Sequence, residues 1–190
     1  MARTRTFIAV EVGDVIRTKV AAVQQQLAKS GAAAKWVEKD SLHVTLLFLG
    51  EVDVNDLAGI CRATTNAAAK EAPFVMRVTG VGAFPTPRRP KILWGGITKG
   101  ADSLTRLHAA IEAPLLELGC YRQEDRAFTP HLTLGRTKGE DDGNLLAAEM
   151  PKFEAWDGGY TTVEDVLVMT SEMRREGPEY TVIGRATLGG

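Results

Sequence analysis

Two nearly identical tetrapeptides constrain this chain more than any other feature: His-Val-Thr-Leu at residues 43–46 and His-Leu-Thr-Leu at residues 131–134. They contain two of the three histidines in the 190 residues. Each tetrapeptide lies in an apolar, β-prone run, residues 42–49 or 128–134, that ends beside a glycine. Both runs are therefore predicted to be strands. Because strand side chains alternate between faces, the histidine and threonine of each copy share one face and the leucines share the other.

Matched histidines on two strands are typical of a paired acid and base, because the imidazole titrates near neutral pH. Hydrolysis of a phosphodiester needs a base to deprotonate water and an acid to protonate the leaving oxygen. A threonine hydroxyl beside each histidine can donate a hydrogen bond to a non-bridging phosphate oxygen. We therefore predict that His43, Thr45, His131 and Thr133 line one cleft and act together on a phosphodiester.

The composition argues against several other classes of protein. A net charge of −1, with 44% hydrophobic and 25% charged residues, is ordinary for a globular protein and gives no global signal for nucleic acid or membrane. Two cysteines give no disulfide framework. No apolar run is long enough for a membrane span or signal peptide, so we expect no membrane partner and a cytoplasmic location. With too few metal ligands, no nucleophile elbow and no nucleotide-binding glycine loop, we expect neither a metal nor another cofactor.

Periodicity and turn residues predict the remaining elements in the order β-α-β-α-β-β-α-β-(short α)-β-β. Strands are predicted at 6–12, 42–49, 74–84, 92–98, 128–134, 161–170 and 180–187, and helices at 14–29, 53–70 and 102–118. The proline-rich residues 85–90 and the charged residues 138–144 are predicted to be loops. A helix followed by a His-x-Thr strand occurs once in each half of the chain. We therefore predict one α+β domain over residues 1–190, with two pseudo-symmetric lobes of largely antiparallel sheet flanked by helices and an active-site cleft between the lobes.

Taken together, these segments resemble the two-histidine (2H) phosphoesterase superfamily, and within it the RNA 2′,3′-cyclic phosphodiesterases of the LigT-like group. The similarity runs in order through residues 6–10, 35–37, 42–52, 82–85, 90–96 and 128–136 to a final strand around Tyr180. It implies a substrate RNA that ends in a 2′,3′-cyclic phosphate, which water opens to a 2′-phosphomonoester without a metal. It also implies that His43 is the proton donor, that His131 is the proton acceptor, and that Thr45 and Thr133 bind phosphate oxygens.

Other residues near the motifs are candidates for substrate binding. The resemblance makes Arg136 a phosphate-binding candidate, but strict alternation places it on the face opposite the second histidine. It reaches the phosphate only if the strand bulges or bends at Gly135. Phe7, Trp36 and Phe48 are candidates for stacking on RNA bases, although alternation places Phe48 on the leucine face.

The residues leave other functions open. The same chemistry can act on a small cyclic nucleotide or on a 2′-5′-linked nucleotide. The residues that line the pocket determine which substrate binds, and the sequence pattern does not identify them. The resemblance also allows reversible 2′-5′ RNA ligation, although the chain lacks a nucleotidyl-transfer lysine motif. A non-catalytic RNA-binding module would have no need of two titratable groups. We expect a monomer whose partners are RNA 3′ ends bearing a 2′,3′-cyclic phosphate, or small cyclic nucleotides.

Overall fold

The computed structural model describes residues 2–123, 126–175 and 177–189. Within these residues the chain forms nine strands and four α-helices. The strands are β1 (Arg3–Glu11), β2 (Ala34–Trp36), β3 (His43–Asp53), β4 (Phe74–Thr86), β5 (Arg89–Lys99), β6 (His131–Thr137), β7 (Asp157–Val163), β8 (Asp165–Arg174) and β9 (Gly177–Thr187). The helices are α1 (Asp14–Ala28), α2 (Leu57–Ala68), α3 (Ala101–Glu117) and α4 (Glu140–Glu149).

The strands form two sheets, and each sheet carries one of the two motifs. Sheet A has the strand order β3-β1-β8-β9, and sheet B has the order β2-β6-β5-β4-β7. All paired strands are antiparallel. His43 is the first residue of β3 in sheet A, and His131 is the first residue of β6 in sheet B. These two strands contact each other, so the two motif strands lie side by side where the sheets adjoin. The predicted α+β class with antiparallel sheets is confirmed.

Each sheet takes strands from both halves of the sequence. Sheet A combines β1 and β3 with β8 and β9, and the chain passes from sheet B to sheet A at Glu164, between β7 and β8. The prediction of a single strand over residues 161–170 is therefore wrong. Val163 on β7 and Val166 on β8 are both buried, so the apolar pattern continues across the change of sheet and conceals it. Neither sheet corresponds to one half of the chain.

The helices pack against the sheets: α1 contacts β7, α2 contacts β8 and β9, α3 contacts β3 and β5, and α4 contacts β5 and β6. α1 buries four residues at helical spacing, Ile16, Val20, Val23 and Leu27. α3 buries a similar stripe, Leu104, Leu107, Ile111 and Leu115. These stripes join apolar residues of both sheets in one hydrophobic cluster, which leaves the His/Thr faces of β3 and β6 for the site. Among the described residues, no helix has both the length and the apolar character required to span a bilayer.

Two segments predicted to be loops belong to regular structure. β4 continues to Thr86 and β5 begins at Arg89, so residues 85–90 form the end of a hairpin. A register shift after Phe84 lets the ladder accommodate Pro85 there. α4 begins at Glu140, inside the predicted 138–144 loop, and its first turn contains three acidic residues, which the positive end of a helix dipole favours. The short strand β2, which pairs with β6, was also not predicted as a separate element.

Candidate active site

A β-bulge shapes the first motif strand. In the β1–β3 ladder, Thr45 pairs with Ala9 and Leu47 pairs with Ile8, so Leu46 is one extra residue on β3. Leu46 and Leu47 are consequently both buried, and Phe48 turns to the face of His43 and Thr45 with 59% of its surface exposed. The prediction that Phe48 shares the leucine face is wrong, because the bulge shifts the alternation by one residue.

The second motif strand has a bulge at the same place. Thr133 pairs with Trp94 and Gly135 pairs with Leu93, which leaves Leu134 as the extra residue on β6. Leu134 and Gly135 are both buried, and Arg136 is exposed. The bulge turns Arg136 to the face of the second histidine and threonine. The bulge that Arg136 needs in order to reach the phosphate is therefore present. The first six residues of the two strands have the same pattern of burial.

Both histidines are held by the same hydrogen bond. Nδ1 of His43 lies 2.7 Å from the carbonyl oxygen of Ser41, and Nδ1 of His131 lies 2.7 Å from that of Thr129. A carbonyl oxygen only accepts, so Nδ1 carries the hydrogen in each ring. Nε2 is therefore the nitrogen that gains or loses a proton, and the bond to Nδ1 persists in both protonation states. This arrangement suits one imidazole to act as an acid and the other as a base.

Aromatic rings surround the first histidine. The ring of Phe7 stacks on His43 with centroids 5.0 Å apart. Tyr180 meets His43 edge-on at 5.4 Å and meets Phe7 edge-on at 5.2 Å. Phe7 is buried and Phe48 lies beside it, with ring centroids 6.3 Å apart. Of the three stacking candidates, Phe48 is therefore the one that presents an open ring beside the first motif.

The second histidine has its own aromatic neighbour. Phe84 of β4 meets His131 edge-on with ring centroids 5.1 Å apart. The sequence pattern assigned no role to Phe84 or to Tyr180, because strands distant in the sequence bring them to the histidines. Trp36, the third stacking candidate, pairs with Gly135 on the opposite face from Arg136 and packs against the hydrophobic core.

The environment of His43 favours its neutral form. Burial lowers the pKa of His43 from its ordinary value of 6.5, and the positive charge of Arg17 lowers this pKa further, while the bond to the Ser41 carbonyl raises it and offsets only part of the change. Arg17 is fixed by two backbone acceptors, since its Nε donates to the Val12 carbonyl at 2.9 Å and its Nη1 donates to the Lys39 carbonyl at 2.6 Å.

Cationic side chains lie on the same face as the histidines. Lys35 of β2 pairs directly with Arg136, and directly paired residues share a face. In sheet A, Arg5 and Tyr180 both pair with Ser171 of β8 and so share a face. Burial raises the pKa of Tyr180 above its ordinary value of 10.0, and the charges of Arg136 and Arg5 oppose that shift. The Tyr180 hydroxyl is therefore protonated at neutral pH and can donate a hydrogen bond.

A glutamine of α1 holds the bulge that places Arg136. The carbonyl oxygen of Leu134 accepts from the backbone N–H of Val37 at 3.0 Å and from Nε2 of Gln24 at 2.9 Å. The same Nε2 donates to the Val37 carbonyl at 2.9 Å. Next to the bulge, a Cβ on Gly135 would lie 2.7 Å from Cε3 of Trp36, so only glycine fits there without displacing the indole.

Among the described residues, no group of three or more His, Cys, Asp or Glu side chains is placed to hold a metal ion. His108, the remaining histidine, stacks on Phe128 with ring centroids 4.3 Å apart and lies on α3, outside the two motifs.

Two strands that each present, on one face, a threonine and a histidine held through Nδ1 are the features of a two-histidine phosphoesterase. Comparison with known proteins agrees. Residues 10–94 match the sequence model of the family described as LigT like Phosphoesterase. The RNA 2′,3′-cyclic phosphodiesterase of Methanothermobacter thermautotrophicus is 31% identical over 94% of this chain and 96% of its own length. The protein of the same name from Archaeoglobus fulgidus is 37% identical over 93% and 96%.

Solved structures have the same fold. The crystal structure of the Thermus thermophilus protein TT0787 superposes with a TM-score of 0.83 at 29% identity and covers 98% of both chains. E. coli LigT in its apo form superposes with a TM-score of 0.78 at 21% identity over the whole of both chains, a likeness of fold. The chain belongs to the LigT-like phosphoesterase family, as its resemblance in sequence predicted.

Proposed function

We propose that this protein, as a single two-lobed domain, hydrolyses the 2′,3′-cyclic phosphate at RNA 3′ ends and leaves a 2′-phosphomonoester. The observation that carries the proposal is the matched pair of histidines. Each is fixed through Nδ1 by a carbonyl two residues earlier and so presents Nε2 for proton transfer. The names of the curated relatives support the substrate.

In the proposed reaction, Nε2 of His131 accepts a proton from water as the water oxygen bonds to phosphorus. The bond between phosphorus and O3′ breaks, and Nε2 of His43 donates a proton to O3′. One water is consumed, and the two histidines exchange protonation states, which exchange with solvent restores. The phosphoryl group keeps its bond to O2′, so the product is a 2′-phosphate. General acid–base catalysis of this kind contributes about 10²–10⁴-fold per group.

The remaining polar groups of the site bind the phosphate. We assign the hydroxyls of Thr45 and Thr133 to the two non-bridging oxygens, because each threonine shares the face of its histidine. Arg136 balances the negative charge from the bulged end of β6. The protonated hydroxyl of Tyr180 adds a donor from sheet A. The hydroxyl donors are aimed at developing charge and stabilise the transition state more than the ground state, whereas Arg136 attracts the charge that the phosphate already carries in the ground state.

The proposed donor role requires His43 to be protonated in the complex. Burial and Arg17 favour the neutral ring in the free enzyme. A phosphodiester carries one negative charge, and a negative charge within a few ångströms favours an imidazolium. Substrate binding therefore raises the pKa of His43 at the step where the proton is needed.

The test is incubation of a short RNA ending in a 2′,3′-cyclic phosphate in EDTA, with the position of the product phosphate determined. We expect a 2′-phosphate and full activity in EDTA. His43→Ala and His131→Ala should each reduce kcat by about 10²–10⁴-fold. His108→Phe is the matched control, because it removes the other imidazole and keeps a ring stacked on Phe128.

Three results would contradict the proposal. A 3′-phosphate product would mean that the other oxygen leaves. Activity that EDTA abolishes and a divalent metal restores would mean that the histidines alone do not supply the chemistry. Wild-type rates in either His43→Ala or His131→Ala would remove that residue from the mechanism.

A further inference from the structure

An aromatic surface extends from His131 across β5 and β4 of sheet B. Trp94 of β5 pairs directly with Thr133 of β6 on one side and with Gly82 of β4 on the other. Directly paired residues share a face, so the indole lies on the face of the second motif. Phe84, two residues after Gly82, contacts Trp94 with ring centroids 5.4 Å apart and contacts His131 at 5.1 Å. We call Phe84 and Trp94 the aromatic shelf.

Two glycines make room for the indole. A Cβ at Gly82 would lie 2.6 Å from Cζ3 of Trp94, closer than real carbon atoms approach, and a Cβ at Gly96 would lie 3.4 Å from the same atom. The six-membered ring of Trp94 therefore lies against the backbone of both glycines. Its Nε1 is buried, and no hydrogen-bond partner is found for it among the described residues. Trp94 as a whole is partly exposed, so it presents ring carbons to the cleft.

The positive charge of sheet B lies at the end of the second motif strand, where Arg136 pairs with Lys35 of β2 and with Ile92 of β5. Trp94 lies two residues further along β5, beside Thr133, and the surface under its ring is uncharged glycine backbone. A cationic surface suits phosphate, whereas an exposed ring over bare backbone suits the face of a nucleobase, because stacking needs a flat apolar partner.

Building on the proposed function, we propose that the aromatic shelf binds the base of the nucleotide immediately 5′ to the cyclic phosphate. The proposed donor His43 must reach O3′ of the terminal ribose, which places the terminal nucleoside on the side of Phe48 and Tyr180. The shelf borders His131 instead, so it is left for the neighbouring base. The preferred substrate is then an RNA of at least two nucleotides rather than a cyclic mononucleotide.

Binding of two product-like ligands tests this inference. Calorimetry gives Kd for adenosine 2′-phosphate and for the dinucleotide ApAp with a terminal 2′-phosphate. The wild type should bind the dinucleotide more tightly by about 5- to 150-fold, the factor that corresponds to stacking of one base on an aromatic ring. Trp94→Leu should abolish this advantage and leave Kd for adenosine 2′-phosphate within about twofold, because the proposal places the second base, and not the terminal nucleoside, on the indole.

Two further variants separate stacking from a general loss of structure. Gly82→Ala keeps Trp94 but displaces its ring, so it should also reduce the dinucleotide advantage. Trp156→Phe is the matched control, because Trp156 packs on Gly95 at the opposite face of the sheet, and it should keep the wild-type ratio. Thermal melts establish that each variant is folded.

Two outcomes overturn the inference. An unchanged ratio of the two Kd values in folded Trp94→Leu would show that the shelf binds no base. An equal loss for both ligands would assign the shelf to the terminal base. Failure of the proposed function would give a different result. If the tighter binding of the dinucleotide depends on Trp94 but no cyclic phosphate is hydrolysed, base binding by the aromatic shelf is supported and the proposed hydrolase activity is refuted.

Discussion

Gln24 lies on the opposite side of β6 from the proposed chemistry, yet the structure predicts that it controls phosphate binding. Its Nε2 bridges the carbonyls of Val37 and Leu134, both at 2.9 Å. Leu134 is the bulged residue that turns Arg136 to the face of the histidines. Gln24→Leu keeps a similar shape and removes both hydrogen bonds. At about 0.5–1.5 kcal/mol for each bond, the free energy of unfolding should fall by about 1–3 kcal/mol.

The kinetic effect should appear in KM. A hydrogen bond from a charged donor is worth about 1.5–3 kcal/mol, so Arg136→Ala should raise KM for a cyclic phosphate RNA by about 10- to 150-fold. A loosened bulge misplaces the same guanidinium, so Gln24→Leu should raise KM by up to that factor. Its kcat should stay within about twofold of the wild type, because the effect is on substrate binding alone.

A double-mutant cycle separates this mechanism from general destabilisation. If Gln24 acts through Arg136, Gln24→Leu should raise KM no further in an Arg136→Ala background. Gln26→Leu is the matched control, since it makes the same chemical change on an exposed position of α1. Equal increases in KM with and without Arg136, or a loss confined to kcat, would refute the link between Gln24 and Arg136.

The site makes three further predictions. The proposed acid His43 must be protonated, so kcat/KM should fall as pH rises through the lowered pKa of His43 in the free enzyme. The fall in kcat should come at higher pH, because the bound phosphate raises that pKa. Arg17→Met removes a positive charge near His43 and should move the fall in kcat/KM to higher pH; an unchanged pH profile would contradict the electrostatic effect of Arg17 on His43. Tyr180→Phe should keep the melting temperature and reduce kcat/KM by about tenfold; unchanged kinetics would remove the hydroxyl from the site. Gly135→Ala should cost about 1–3 kcal/mol of stability through overlap with Trp36, and an unchanged urea midpoint would refute this.

The sequence was sufficient to place the four motif side chains on two strand faces. Alternation works for His43 with Thr45 and for His131 with Thr133, because no bulge separates the residues of either pair. The same reasoning misplaced Phe48, since the bulge at Leu46 adds one residue and moves Phe48 to the other face of the strand. A single-residue bulge cannot be recognised in a run of apolar residues, because the extra residue and its neighbours are all apolar.

Contacts between distant strands were beyond the reach of the sequence. Tyr180 reaches His43 because β9 pairs with β8 and β8 pairs with β1. Phe84 reaches His131 through the β4–β5 and β5–β6 ladders. Strand order is set by packing of the whole core rather than by local pattern, and the passage from β7 to β8 shows the consequence, since continuous burial conceals a change of sheet.

The division of proton transfer between the two histidines is the central claim, and one substrate tests it directly. A cyclic phosphate RNA with sulfur in place of O3′ has a leaving group that departs without protonation, because a thiol is far more acidic than an alcohol. His43→Ala should then hydrolyse the sulfur substrate within about tenfold of the wild-type rate, while remaining about 10²–10⁴-fold slow on the oxygen substrate. His131→Ala should be slow on both. Rescue of His131→Ala instead would exchange the two roles, and rescue of neither variant would contradict a general acid at this site.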